Sequence, residues 1–193
     1  MAYDQTDRPA ETADLAARLD AELRRAEPAA ILEAAVRQFG DRLAMVSSFG
    51  AESATLLHLV SQVDKALPVL FLETGMLFPA TLAYQQSLSE QLGLTGVRLV
   101  RPDGAEVKAE DPEGTLHGPD ADACCDLRKT RPLERALAPF QAWVTGRKRF
   151  QTADRANLEL FEVDAHARCL RTPPPTARAV HGFLQGSLFV PKK

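Results

Sequence analysis

The sequence has no apolar run approaching the roughly 18 residues that a membrane-spanning helix requires. Its opening, Met1-Ala2-Tyr3-Asp4-Gln5-Thr6-Asp7, lacks the basic and apolar regions of a secretory signal. The expectation is a cytoplasmic chain with no membrane partner. Cysteine is scarce: Cys124, Cys125 and Cys169 are three in all, too few for a disulfide framework. Two of them are adjacent, and in a reducing compartment such clustering points toward metal or redox chemistry. Excess charge is lacking too, with 23 Lys and Arg against 26 Asp and Glu and a net charge of −3. A field of that sign does not attract duplex nucleic acid, so a nucleic-acid partner is excluded and any anion site must be local. From residue 165 to 193 Asp and Glu are missing altogether, while four of the 13 prolines fall there.

What is present is ordinary for a globular chain: 193 residues, 45% hydrophobic and 25% charged. Leu15, Leu19 and Leu23 recur at helical spacing up to Pro28, and Ile31, Leu32, Ala35 and Val36 repeat the pattern before Gly40. Short buried strands are expected at 43–47, 68–72, 97–100 and 142–145. Helices are expected at 54–63, at 80–92 between Pro79 and Gly93, and at 121–137 with a kink or restart at Pro132. Such alternation predicts an α/β fold, a parallel twisted sheet with helices on both faces joined by right-handed crossovers. Residues 1–40 read as a helical cover, 41–164 as a nucleotide-binding α/β domain, and 165–193 as a basic Pro-rich tail.

Ligands of open parallel sheets bind at the carboxyl ends of the strands. Four polar clusters stand out, three of them at the ends of expected strands and one on the helix expected over 121–137. Ser47-Ser48-Phe49-Gly50-Ala51-Glu52-Ser53 joins a strand to a helix, as an anion cradle does, with hydroxyls and close backbone N–H groups ahead of a helix N-terminus. Leu72-Glu73-Thr74-Gly75 ends a strand with a turn suited to a ribose or base edge, although Glu73 reads equally as a solvated turn residue. Cys124-Cys125-Asp126-Leu127-Arg128-Lys129 sets fixed positive charge beside two thiols, which favours thiolates and anionic ligands. Read alone, the thiols are also consistent with two small buried side chains. Thr145-Gly146-Arg147-Lys148-Arg149-Phe150-Gln151, with Arg155 beyond, places guanidinium forks where they clamp a phosphate.

In that order, SSFGAES, LETG, CCxxRKxxPL and TGRKRFQ with a following Arg resemble the assimilatory adenylyl-sulfate and phosphoadenylyl-sulfate reductase family, over residues 30–164. The resemblance implies an adenine nucleotide alpha-hydrolase-like (PP-loop) fold. It implies reduction of adenosine 5′-phosphosulfate, or its 3′-phosphorylated form, to sulfite and AMP or PAP, with thioredoxin or glutaredoxin supplying electrons. Ser47, Ser48, Phe49, Gly50 and Ser53 would line the phosphate and ribose side, and Leu72, Thr74 and Gly75 the adenosine side. Lys129, Lys148, Arg149 and Arg155 would face the phosphosulfate, with Arg128, Gly146 and Gln151 completing the substrate-binding set. Cys124 and Cys125 would be two of the four ligands of a 4Fe-4S cluster, a pairing that goes with the substrate lacking a 3′-phosphate. In such chemistry a thiolate attacks sulfur, the nucleotide leaves, and thiol exchange frees sulfite, while cations stabilise the leaving phosphate.

Beyond Asp164 the sequence departs from that pattern. It has neither the CxxC pair nor the Glu-Cys-Gly-Leu/Ile-His nucleophile element of the family, and Cys169 stands between Arg168 and Leu170. A cluster generally takes four thiolates and attack a fifth, against three cysteines here. No catalytic nucleophile is therefore assigned, and a frameshift or truncation of the C-terminal part is the expectation. Zinc held by Cys124, Cys125, Cys169 and His166 or His181 lacks the usual knuckle spacing. The competing readings are an inactive adenine-nucleotide-binding remnant and an ATP-pyrophosphatase-type adenylating enzyme. The latter is disfavoured by Phe49 and Glu52 in the phosphate loop.

Overall fold

Short apolar runs without Gly or Pro become strands here, the inner ones buried on both faces and the edge strand over 97–100 exposed at Arg98 and Leu99. A computed structural model of the chain describes residues 8–50, 53–145 and 160–161. Strands β1 (Leu43–Ser47), β2 (Val69–Leu72), β3 (Val97–Val100) and β4 (Ala142–Thr145) form one parallel sheet in the order β3-β2-β1-β4. Met45 is registered with Val69 on one side and Val144 on the other.

Alternate residues serve two cores. Leu43, Met45, Val69, Phe71 and Val144 pack against α1 (Arg8–Leu23), α2 (Pro28–Phe39) and α3 (Ser53–Val63) through Leu19, Leu32, Leu57 and Val60. Leu82 and Leu92 of α4 (Pro79–Leu92) join the same cluster. Ala44, Leu70 and Val100 face the opposite way, onto Phe140 and Leu137 of α7 (Arg131–Leu137). Fully burying a side chain such as Leu57 contributes about 1.5–3 kcal/mol, so both faces hold the sheet.

The helices start and stop where local chemistry dictates. Pro79 opens α4, and Gly93, at φ 67°, closes it in the left-handed conformation, its N–H donating to Glu90 O. Two features differ from the sequence expectation. The helix expected over 121–137 is three pieces, α6 (Ala121–Cys125), a π-helical turn Asp126–Thr130, and α7. Pro132 has no N–H for the i−4 carbonyl, and the preceding turn widens so that Arg131 N–H donates to Asp126 O. A short α5 (Gly104–Glu110) is present where no helix was expected; it has no apolar stripe and is started by Asp103, whose carboxylate accepts from Ala105 and Glu106 N–H.

Because the strands are parallel, the ends of β1, β2, β3 and β4 share one edge. The chain leaves β1 toward β2 and β3, then returns across the sheet to β4 on β1's other side. The strand order therefore reverses at β1, the position beside which open parallel sheets generally bind ligands.

Candidate functional site

Turn 47–50 leaves the carboxyl end of β1. Ser47 is buried and its Oγ accepts the Phe49 N–H at 3.1 Å, which bends the chain sharply. Phe49 then takes φ 52°, unusual for a non-glycine residue. Its ring turns inward, with an edge-to-face contact to Phe71 at 5.2 Å. Ser48 and Gly50 are exposed, and Gly50 O accepts the N–H of Ser53 as α3 begins. The Phe49 N–H is thus engaged by Ser47 Oγ and its ring by the core, and the turn presents Ser48 and Gly50 to solvent.

Turn 73–75 follows β2. Glu73 is buried, not solvated: one carboxylate oxygen accepts the Gly75 N–H at 2.8 Å and the other the Arg101 Nε–H at 2.9 Å. Thr74 is buried as well, its Oγ1 accepting the Met76 N–H. Gly75 sits at φ 74°, which a side chain rarely adopts, and it is exposed. Leu72 ends β2 half-buried.

The turn after α6 divides the Cys-Cys and Arg-Lys pairs between two faces. Cys124, Leu127 and Arg128 are buried, whereas Cys125 and Lys129 are exposed about one turn apart. Arg128 donates through Nε and Nη2 to Asp111 Oδ2, at 3.2 and 2.7 Å, and through Nη1 to Thr74 O at 3.0 Å. Sequence reasoning assigned Arg128 to the substrate. In the structure it ties Asp111 to Thr74 through its three guanidinium nitrogens while also lining a cleft beside turn 73–75, and Lys129 is the exposed cation of the pair.

A cleft of about 480 Å³ lies beside turn 73–75 and the Arg128 turn, lined among others by Glu73, Gly75, Arg101, Asp111 and Arg128. Asp111 carried no signal in the sequence, and Glu73 and Arg101 carried none beyond their place after expected strands. The Arg128 hydrogen bond, and then the Leu116 N–H, hold the Asp111 carboxyl below its ordinary range. On the outer side, Arg131 forks onto Glu110 at 2.8 and 2.6 Å and reaches Asp126 at 2.8 Å. Arg135 forks onto Glu106. These pairs fasten α5 to α7.

Gly146, Lys148, Arg149, Gln151 and Arg155 lie outside the described residues, as do Ala51, Glu52, Cys169 and segment 165–193. Thr145, at the end of β4, is the last described residue before the basic run. A 4Fe-4S cluster generally takes four thiolates, and the sequence holds three cysteines. Among the described residues no group of three or more His, Cys, Asp or Glu side chains is placed to hold a metal ion. The residues present therefore do not complete a cluster site. No described helix is long and apolar enough to cross a membrane. Arranged this way, the edge offers an oxyanion backbone N–H groups and hydroxyls from one turn and an ammonium from another.

Residues 42–175 match the family model described as the phosphoadenosine phosphosulfate reductase domain. The chain is 49% identical over 148 residues to a protein named adenosine 5′-phosphosulfate reductase from Mesorhizobium japonicum, covering 76% of this chain and 58% of that protein. It is 48% identical over 146 residues to one of the same name from Chelativorans sp., covering 75% and 60%. With a phosphoadenosine 5′-phosphosulfate reductase from Gloeobacter violaceus it shares 36% over 148 residues, covering 76% and 61%. The chain thus spans about three fifths of the length of these curated relatives. Among solved structures, a phosphoadenylyl-sulfate (PAPS) reductase from Candida auris, in a phosphate complex, superposes with a TM-score of 0.69 at 20% identity. That likeness covers 94% of this chain and 80% of the other and bears out the PP-loop-like α/β fold.

Proposed function

The chain belongs to the phosphoadenosine phosphosulfate reductase domain family, and from that premise we propose that it binds an adenosine phosphosulfate for thiol-dependent reduction to sulfite in sulfate assimilation and cysteine biosynthesis. The observation that carries this reading is that turns 47–50 and 73–75 leave paired parallel strands at the same end, with Arg128 binding the second turn to the one that bears Lys129, all within the region that matches the domain. The names of the relatives support the unphosphorylated substrate first and its 3′-phosphorylated form second.

Turn 47–50 and Ser53 bind the phosphate and ribose. Leu72, Thr74 and Gly75 bind the adenosine. Lys129, joined by Lys148, Arg149 and Arg155, neutralises charge on the phosphosulfate, which stabilises the leaving phosphate as the S–O bond breaks. An incoming thiolate forms the S–S bond and the electron pair of the broken bond departs on AMP or PAP. A second thiol of the donor then displaces sulfite, so that the dithiol is oxidised to a disulfide as sulfur is reduced by two electrons. Thioredoxin or glutaredoxin fits that donor, in a cytoplasm that keeps thiols reduced. Cys124 and Cys125 would supply two thiolates of a 4Fe-4S cluster, and no step depends on it here.

Calorimetric titration of the chain with adenosine 5′-phosphosulfate, its 3′-phosphorylated form and AMP tests the reading, followed by a thioredoxin-coupled assay for sulfite. Binding of the phosphosulfates is expected; the absence of heat with all three ligands overturns it. Binding without sulfite release selects a nucleotide-holding chain.

A further inference from the structure

Asp111 ends α5, and although charged it is buried. Its Oδ1 accepts the Leu116 N–H at 2.9 Å. Its Oδ2 receives the two donors of Arg128, whose remaining nitrogen reaches Thr74 O. The two side chains are 2% and 7% exposed. One carboxylate thereby joins the loop after α5, the turn bearing Lys129, and the turn after β2. A buried ion pair is weak support for stability, since the cost of desolvating both charges offsets their attraction, and an apolar pair often serves as well. An apolar pair cannot reproduce the directed Nη1–H bond to Thr74 O. The guanidinium also occupies the space beside the glycine: a Cβ on Gly75 would meet Arg128 Nη1 at 3.4 Å.

We infer that Asp111 is a positioning residue for the sulfonucleotide site, acting through Arg128 to hold turn 73–75 and the Lys129 turn in one fixed relation. The inference rests on the reading of the site proposed above. Its part is played through Arg128: the ionised carboxylate sets the angle of the guanidinium, and the guanidinium sets Thr74.

Titration with adenosine 5′-phosphosulfate, paired with chemical denaturation, tests this on wild type, Asp111→Asn, Arg128→Lys and the double variant Asp111→Asn/Arg128→Met. The single Asn variant strands a buried cation and is expected to lose both stability and affinity. The double variant removes both charges while keeping an acceptor for Leu116, and is expected to recover stability. Its affinity is expected to stay about tenfold or more below wild type, because the bond to Thr74 is gone. Arg128→Lys keeps the charge without the fork and is expected to bind as weakly. Affinity that returns with stability in the double variant, or wild-type affinity in Asp111→Asn or Arg128→Lys, overturns the positioning role alone. Wild type that binds no phosphosulfate overturns the reading of the site, and the positioning role with it.

Discussion

The backbone N–H of Leu160 donates to Oδ1 of Asp20 across 2.6 Å, so a carboxylate on the first helix holds a segment 140 positions further along the chain. Asp20 is buried, and its other oxygen accepts from Arg24 at 2.6 Å. Leu160 and Phe161 fill the same core as Leu19 and Leu32. Asp20→Ala is therefore expected to cost about 1–3 kcal/mol, the penalty for a buried donor left without a partner. Asp20→Asn, which keeps an acceptor, is expected to cost less. Urea denaturation measures both, and an Ala variant as stable as wild type would contradict the tether.

Gly96, just before β3, lies directly against the strand entering beside it. A Cβ there would stand 2.3 Å from Leu67 O and 2.4 Å from Ala66 O, both backbone atoms that cannot swing away. Gly96 O meanwhile accepts the Val69 N–H at 3.0 Å, so the two strands cannot part without breaking the sheet's first rung. Gly96→Ala is expected to destabilise by about 1–3 kcal/mol, as overpacking does. A melting temperature equal to wild type would count against this close approach.

The carboxylates fastening α5 to α7 give stability a definite pH dependence. Hydrogen bonds from Arg135 and Arg131 hold Glu106 and Glu110 below their ordinary value of 4.5. Between the depressed folded value and the ordinary one, the unfolded chain binds more protons, so stability there rises with pH. The contribution is complete above the ordinary value and is lost as pH falls through the folded one. Glu134 has the opposite sign: burial first, then the charge of Asp126, raises its value, so its ionisation at neutral pH opposes folding. Thermal melts across pH 3–7, a window set about those values, are expected to show the wild-type midpoint falling on acidification and less of that fall in Arg131→Met. Glu134→Gln is expected to melt higher than wild type at neutral pH.

Lys129 is exposed where its neighbour Arg128 is buried, and the two therefore separate binding from folding. Lys129→Met is expected to weaken binding of adenosine 5′-phosphosulfate about tenfold, roughly 1.4 kcal/mol, and to leave the melting temperature unchanged. An unchanged affinity would remove Lys129 from the site.

The four strands and the amphipathic helices were legible because burial on one or both faces writes itself into apolar spacing. Val69, Leu70 and Phe71 form such a run, and Leu15, Leu19 and Leu23 such a stripe. The polar turns were legible as turns, but their internal bonding was not. Asp111 and Arg128 are 17 positions apart and of types that are mostly exposed, so nothing in composition marks them as a buried pair. Glu73 is held by the Gly75 N–H within its own turn and by Arg101, 28 positions on, a partner that the local sequence does not reveal. Helix α5 has no apolar period to reveal it, only the cap at Asp103.

Phe49 shows how the cradle's shape is held by the core beneath it. At φ 52° an L side chain costs about 1–2 kcal/mol relative to right-handed backbone. The ring, 1% exposed and edge-on to Phe71 at an interplanar angle of 74°, offsets that cost through burial. Phe49→Ala removes the offset and keeps the strained backbone, so it is expected to lose about 3–5 kcal/mol. Phe49→Gly loses the same ring but accepts the positive φ freely. The Gly variant is therefore expected to be at least as stable as the Ala variant, the reverse of their ordinary order. Both are expected to bind nucleotide more weakly than wild type, since the turn has lost its anchor. Urea denaturation ranks the pair, and an Ala variant clearly more stable than the Gly variant would show that the backbone at residue 49 is not held in the left-handed region.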